Sequence, residues 1–119
     1  MKREIHLGLM RLHLLHHACE EEVFGFGMME ELRRHGYEIG PGTFYPILHR
    51  MEEEGLLRSR RTRAGGRIRR SYRATSAGRR FLDEARFKVR ELAAELFEEE
   101  GWGHSGRRYR GAPGGRKRP

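Results

Sequence analysis

Apolar residues recur along this chain with two different periods, and the change of period divides it into elements. Over residues 4–19, Ile5, Leu9, Leu12 and Leu15 or His16 fall at helical spacing, with further apolar residues at Leu7, Met10, Leu14 and Ala18. A helix that is apolar on more than one side is expected to be central to a core or an interface. The acidic residues 20–22, before Val23-Phe24-Gly25, read as a connection. Residues 25–36 predict a short second helix buried through Phe26, Met29 and Leu32 and closed by Gly36.

Pro41 and Gly42 interrupt the pattern, and Thr43 is placed to cap a third helix, because its hydroxyl can accept a bond from a first-turn amide. Phe44, Ile47, Leu48 and Met51 follow at i, i+3, i+4 and i+7, the stripe of a helix buried on one side. The other face carries Thr43, Tyr45, His49, Arg50 and Glu53. Pro46 is compatible with this helix only inside its first turn, where the missing N–H has no partner to lose. Gly55 ends the helix.

From Leu57 the period falls to two. Ile68, Tyr72 and Ala74 alternate with Arg67, Arg69, Ser71 and Arg73, which predicts a strand with one face on a core and one rich in arginine. Residues 57–62 are its expected partner, and Arg63-Ala64-Gly65-Gly66 holds the glycines a hairpin turn requires. A ribbon placed after two helices joined by a tight turn is the wing of a winged helix-turn-helix. A last helix is expected from Thr75-Ser76-Ala77-Gly78 to about Glu100. Its stripe is Phe81, Ala85, Val89, Leu92 and Leu96, flanked by Leu82, Ala93 and Phe97. A helix of that length projects beyond a small winged domain, so its apolar side is expected to meet a second copy of the chain.

Composition adds a reason for that second copy. At 119 residues, with 36% hydrophobic and 35% charged, one domain has room for only a modest core. Charge adds a partner class. Residues 58–73 hold eight arginines and no acid, and residues 101–119 hold six basic residues and no acid; with a net charge of +8, the remainder stands at −6 (8 − 14). Two basic segments on an acidic body are the footprint of a polyanion partner. The alternative for the arginine ribbon is a merely solvated face. No apolar run is long enough to span a bilayer, and the Met-Lys-Arg-Glu start lacks the apolar core of a signal peptide, so the expected location is cytoplasmic with no membrane partner.

Candidate chemistry narrows the reading further. Cys19 is the single cysteine, which excludes an internal disulfide and an all-cysteine metal cage. His13, His16 and His17 share a helix face with metal-ligand spacing, but without a second well-spaced cluster they read as packed or surface histidines, and no metal or cofactor is assigned. No nucleophile, base and orienter set, phosphate loop or carboxylate pair is present, so no enzyme is expected. A recognition helix offers side chains from its N-terminal half to the major groove, which selects Thr43, Tyr45 and His49. The competing place for Tyr45 is packed against the wing. Arg63, Arg67 and Arg69 of the wing are expected on phosphates or in the minor groove. Trp102 either lines a central pocket in a dimer and stacks on a flat effector, or caps the apolar end of the last helix.

Three motifs resemble the PadR-like transcriptional regulators. They are Gly25-Phe26-Gly27-Met28, where the family carries Gly-Tyr-x-Ile; Gly42-Thr43-Phe44-Tyr45-Pro46-Ile47-Leu48 through Met51-Glu52 to Gly55-Leu56-Leu57; and Arg69-Arg70-Ser71-Tyr72-Arg73-Ala74-Thr75 with Gly78. Together with their spacing they cover roughly residues 7–97, and the short single C-terminal helix resembles the smaller of the family's two size classes. The resemblance implies a homodimeric winged helix-turn-helix that binds a palindromic operator on double-stranded DNA, usually to repress, with release by a small-molecule effector in some members. Ser71 stands in place of a common aromatic, Ala74 in place of a common leucine, and His16-His17 at helix positions that are usually apolar. The first two departures imply a looser wing, and the third bears on a typical ligand pocket.

The expected architecture is thus mainly α with a small β-hairpin. Residues 1–75 form the winged helix-turn-helix, 76–100 a long C-terminal dimerisation helix and 101–119 a disordered basic tail. The expected function is a sequence-specific transcriptional regulator, a homodimeric repressor. The competing classes are a non-specific nucleic-acid packaging or RNA-associated protein on a winged platform, and a winged module that makes protein contacts only.

Overall fold

A computed structural model describes residues 1–98, as helix α1 (Lys2–Glu20), strand β1 (Val23–Phe24), helices α2 (Gly25–Arg34) and α3 (Pro41–Glu53), strands β2 (Leu57–Ala64) and β3 (Arg67–Ala74), and helix α4 (Ser76–Leu96). Trp102 and the basic segment 101–119 lie outside the described residues. Met1–Leu82 form one compact unit, and the chain from Asp83 belongs to a second.

The first unit folds around the stripe of α3. Phe44, Leu48 and Met51 are fully buried, with Ile47 beside them, against Met10, Leu14, Leu15 and Ala18 of α1, Met28, Met29 and Leu32 of α2, and Ile39, Leu57, Tyr72 and Leu82. The burial of α1 differs from the expected stripe: Ile5 and Leu9 are exposed, and the core is met by Met10, Leu14, Leu15 and Ala18. Phe26 is also corrected, since it is 63% exposed. Helix α2 follows β1 directly, which turns Gly25, Met28, Met29 and Leu32 inward at i, i+3, i+4 and i+7 and leaves Phe26 outside that stripe.

Helix α3 begins earlier than expected. Gly40 occupies the N-cap and Pro41 the first helical position, where a fixed φ and an absent N–H suit the first turn. Thr43 is therefore inside the helix and caps nothing: its own amide, like that of Phe44, donates to the Gly40 carbonyl at 3.1 and 2.9 Å. Pro46 consequently lies past the first turn, and the Gly42 carbonyl receives no amide from it. Arg33 Nε donates to the Ile39 carbonyl at 2.9 Å and fastens the turn between α2 and α3.

The three strands form one antiparallel sheet in the order β1-β3-β2. Leu57 pairs with Ala74 and Ala64 with Arg67, so the hairpin closes on Gly65 and Gly66, both at positive φ (60° and 77°) as a tight two-residue turn demands. Strand β1, to which the sequence pattern assigns no element, pairs Val23 with Tyr72 and Phe24 with Ser71. Two residues are all it supplies, so among the described residues the outer half of β3 has no third strand beside it. That explains Ile68, expected on the core face but 62% exposed: it sits out on the projecting ribbon, while Ser71 and Tyr72 are buried.

Thr75 caps α4, with its Oγ1 accepting from Gly78 N at 2.9 Å and donating to the Gly55 carbonyl at 2.6 Å. In the second unit, Phe87, Val89, Leu92 and Leu96 are exposed, whereas Ala93 and Ala94 are buried. No helix among the described residues is long and apolar enough to cross a membrane.

Candidate nucleic-acid interface

The buried stripe of α3 leaves an outer face with two edges. Tyr45 and His49 lie on the edge turned to the sheet. With Phe24, Phe26, Arg67 and Arg69 they line an open cleft of about 980 Å³ between the start of α2, α3 and the wing. The ring of Tyr45 rests on the start of α2, where a Cβ on Gly25 would come within 2.8 Å of Cε1, and meets Phe44 edge-on at 5.1 Å. Half-buried in this way, Tyr45 has a fixed ring that still borders the cleft. Thr43 lies on the other edge of α3, in a separate groove against α1. The structure therefore gathers four of the six residues selected from the sequence, Tyr45, His49, Arg67 and Arg69, and leaves Thr43 and Arg63 outside that cleft.

The arginines of the ribbon divide into two groups. At its base, Arg60 makes a two-pronged pair with Glu22, with Nε to Oε2 at 2.7 Å and Nη2 to Oε1 at 3.0 Å, and the buried Ser71 hydroxyl donates to the same carboxylate. Glu52, at the end of α3, accepts from Ser59 N at 3.1 Å and from its Oγ at 2.8 Å, and Arg70 donates to that Oγ at 2.9 Å. The base is thus bonded to both the residue preceding β1 and the end of α3. Arg69 lies 5.2 Å from the centre of the Phe24 ring. Towards the tip, Arg63 and Arg67 have no ion pair among the described residues. Ser71, expected to loosen the wing, instead ties it down through a polar contact.

Hydrogen bonds from Arg60 and Ser71 hold the Glu22 carboxyl down to about 2, and the same pairing raises the Arg60 guanidinium. Since the folded value lies below the ordinary 4.5, the contribution of Glu22 to stability is present above that pH and is lost as pH falls from about 4.5 towards 2. Glu22→Gln is expected to lower the melting temperature at neutral pH and to flatten its fall across that window. A variant whose acid limb overlays that of the parent would remove Glu22 from the account.

The histidines separate. His16, His17 and Glu20 bring ligand-type atoms within 4.8 Å of one another on an exposed stretch of α1. His13 instead stacks on His35 at 4.3 Å and meets Tyr37 edge-on at 5.9 Å. Burial, and then the neighbouring His35, push the His13 imidazole down. Glu31 lies between His35 Nε2 (3.1 Å) and His17 Nε2 (3.8 Å), and its carboxyl is lowered chiefly by the bond from Arg34.

Two helices joined by a tight turn, with an arginine-bearing ribbon following the second, define a winged helix-turn-helix. The Transcriptional regulator PadR-like family model matches residues 14–84. The chain is 52% identical over 94 residues to Transcriptional regulator Rv3488 of Mycobacterium tuberculosis, covering 79% of this chain and 88% of that protein. Among solved structures it is similar to a PadR family transcriptional regulator from Eggerthella lenta (28% identity, TM-score 0.69, 86% of this chain and 90% of that one). It is also similar to a PadR-like transcriptional regulator from Bacillus cereus (26% identity, TM-score 0.70, 75% and 88%). The chain belongs to the PadR-like family of transcriptional regulators. It is a regulator and not an enzyme.

Proposed function

We propose that this regulator is a cytoplasmic, homodimeric repressor that binds a palindromic operator, with α3 in the major groove and the wing on the adjoining backbone. The supporting observation is the cleft in which Tyr45 and His49 face Arg67 and Arg69. Side chains able to meet base edges or phosphates stand on one wall, and cations that track phosphates on the other. In this reading residues 1–75 contact DNA, 76–100 dimerise, and the basic segment 101–119 adds sequence-independent attraction. Trp102 is the residue of this reading that stacks on a small effector.

The test is affinity for the DNA upstream of its own gene, measured against random DNA over a range of salt. A regulator should prefer its operator by about 10³ or more, whereas a packaging protein would bind both alike. Arg67→Ala is expected to weaken binding to both DNAs to the same degree and to reduce the salt slope by about one unit. An unchanged slope would exclude Arg67 from phosphate contact.

A further inference from the structure

The second edge of α3 carries a feature that the wing-side cleft does not use. Thr43 and Arg50, nearly two turns apart on that edge, line a groove of about 600 Å³ against α1, together with Arg3, His6 and Arg11. Cations outnumber acids there. Arg11 and Arg50 converge on one carboxylate, that of Glu54, with Arg50 Nε 3.5 Å from Oε2. Arg3 has no ion pair among the described residues, and the one acid that lines the groove is Glu38. The Arg50 side chain is 72% exposed although one of its nitrogens is engaged. Three guanidiniums on two carboxylates repel one another unless an anion joins them.

The position of this groove names the anion. A helix with its side chains is about 10–12 Å across and the major groove about 12 Å wide, so a helix seated there presents both its edges to phosphate walls. The wing meets one wall. We infer that the α1–α3 groove is a second backbone-binding surface, in which Arg3 and Arg50, with Thr43 between α3 and the strand, hold phosphates on the wall opposite the wing. This rests on the proposed seating of α3. It reassigns Thr43, chosen from the sequence as a base-reading residue, to backbone positioning, and it adds two residues that no motif marked.

The experiment measures operator affinity against salt for the full chain and for Arg3→Ala, Arg50→Ala, the double variant and Arg3→Lys, with Arg67→Ala alongside. Each alanine is expected to lower the salt slope by about one unit and to weaken binding roughly 5-fold near 0.15 M salt, the double variant roughly 30-fold, on operator and random DNA alike. Arg3→Lys should keep the slope. Because Arg3 is exposed and has no ion pair among the described residues, Arg3→Ala should melt as the parent does, which separates loss of contact from loss of fold. Slopes unchanged in the Arg3 and Arg50 variants but lowered in Arg67→Ala would overturn this inference and leave the seating of α3 intact. Slopes unchanged in all three would overturn both. Loss of operator preference with the slope retained would make the groove a reader of bases and likewise overturn it.

Discussion

If α4 joins two copies as proposed, Leu92→Glu is expected to convert the protein to a monomer and to reduce operator affinity by about three orders of magnitude while leaving its helix content unchanged. Val89, Leu92 and Leu96 follow one another along α4 at helical spacing and are 46%, 55% and 66% exposed, so each leaves a large apolar share uncovered among the described residues. Burying a leucine against a partner contributes about 1.5–3 kcal/mol, and a two-fold interface counts each substitution twice. A carboxylate in that position must instead be taken from water without a partner, which reverses the sign. A monomer engages one half-site and retains mainly the sequence-independent attraction, and the gap between specific and non-specific binding is about 10³ or more. Sedimentation and operator binding measured on the same sample check the two halves of the expectation. A variant that remains dimeric would move the interface away from this stripe.

Gly78→Ala is expected to destabilise the fold by roughly 2–3 kcal/mol, as overpacking at a closed site does. For a chain of this size that corresponds to a fall in melting temperature of about 10–15 °C. In an ordinary helix the same change stabilises by about 0.5–1 kcal/mol. Here a Cβ would stand 2.2 Å from the Leu56 carbonyl oxygen and 3.2 Å from Leu15 Cδ1. That carbonyl is already fixed by Thr75 N at 3.0 Å, so backbone and cap must move together. Gly8→Ala is the control: nothing lies within 4 Å of its Cβ position in α1, and it should raise the melting temperature. If both alanines stabilise, the close approach at Gly78 does not exist in solution.

The parts of this fold that were legible in the sequence are those with a repeating signal. Phe44, Ile47, Leu48 and Met51 announce their shared face by spacing alone, and Gly65-Gly66 announces a hairpin by its tolerance of positive φ. Strand β1 carries no such signal, because Val23 and Phe24 are too few to show a period. Phe26 and Ile68 depart from their expected burial for a common reason: bulk and alternation say which residues could be buried, but not whether a layer exists to cover them. The clamp formed by Glu22, Arg60 and Ser71 was out of reach, since its partners are separated by 38 and 49 residues and each looks like an ordinary surface residue on its own. Of the candidate contacts, the gathering of Tyr45 and His49 with Arg67 and Arg69 followed from the expected topology. The position of Thr43 on the opposite edge did not, because it depends on where α3 starts, and Pro41 sets that point three residues earlier than a cap at Thr43 implies.

The wing is a cantilever. Its root is bonded at Ser59, Arg60 and Ser71 to Glu52 and Glu22, with Arg70 donating to Ser59, while the span from Arg63 to Ile68 extends beyond the end of β1. Changes at the root alter folding, and changes in the span alter what the ribbon touches. Substitutions in the span are therefore expected to change what the ribbon touches with little change in melting temperature, and substitutions at the root to do the reverse.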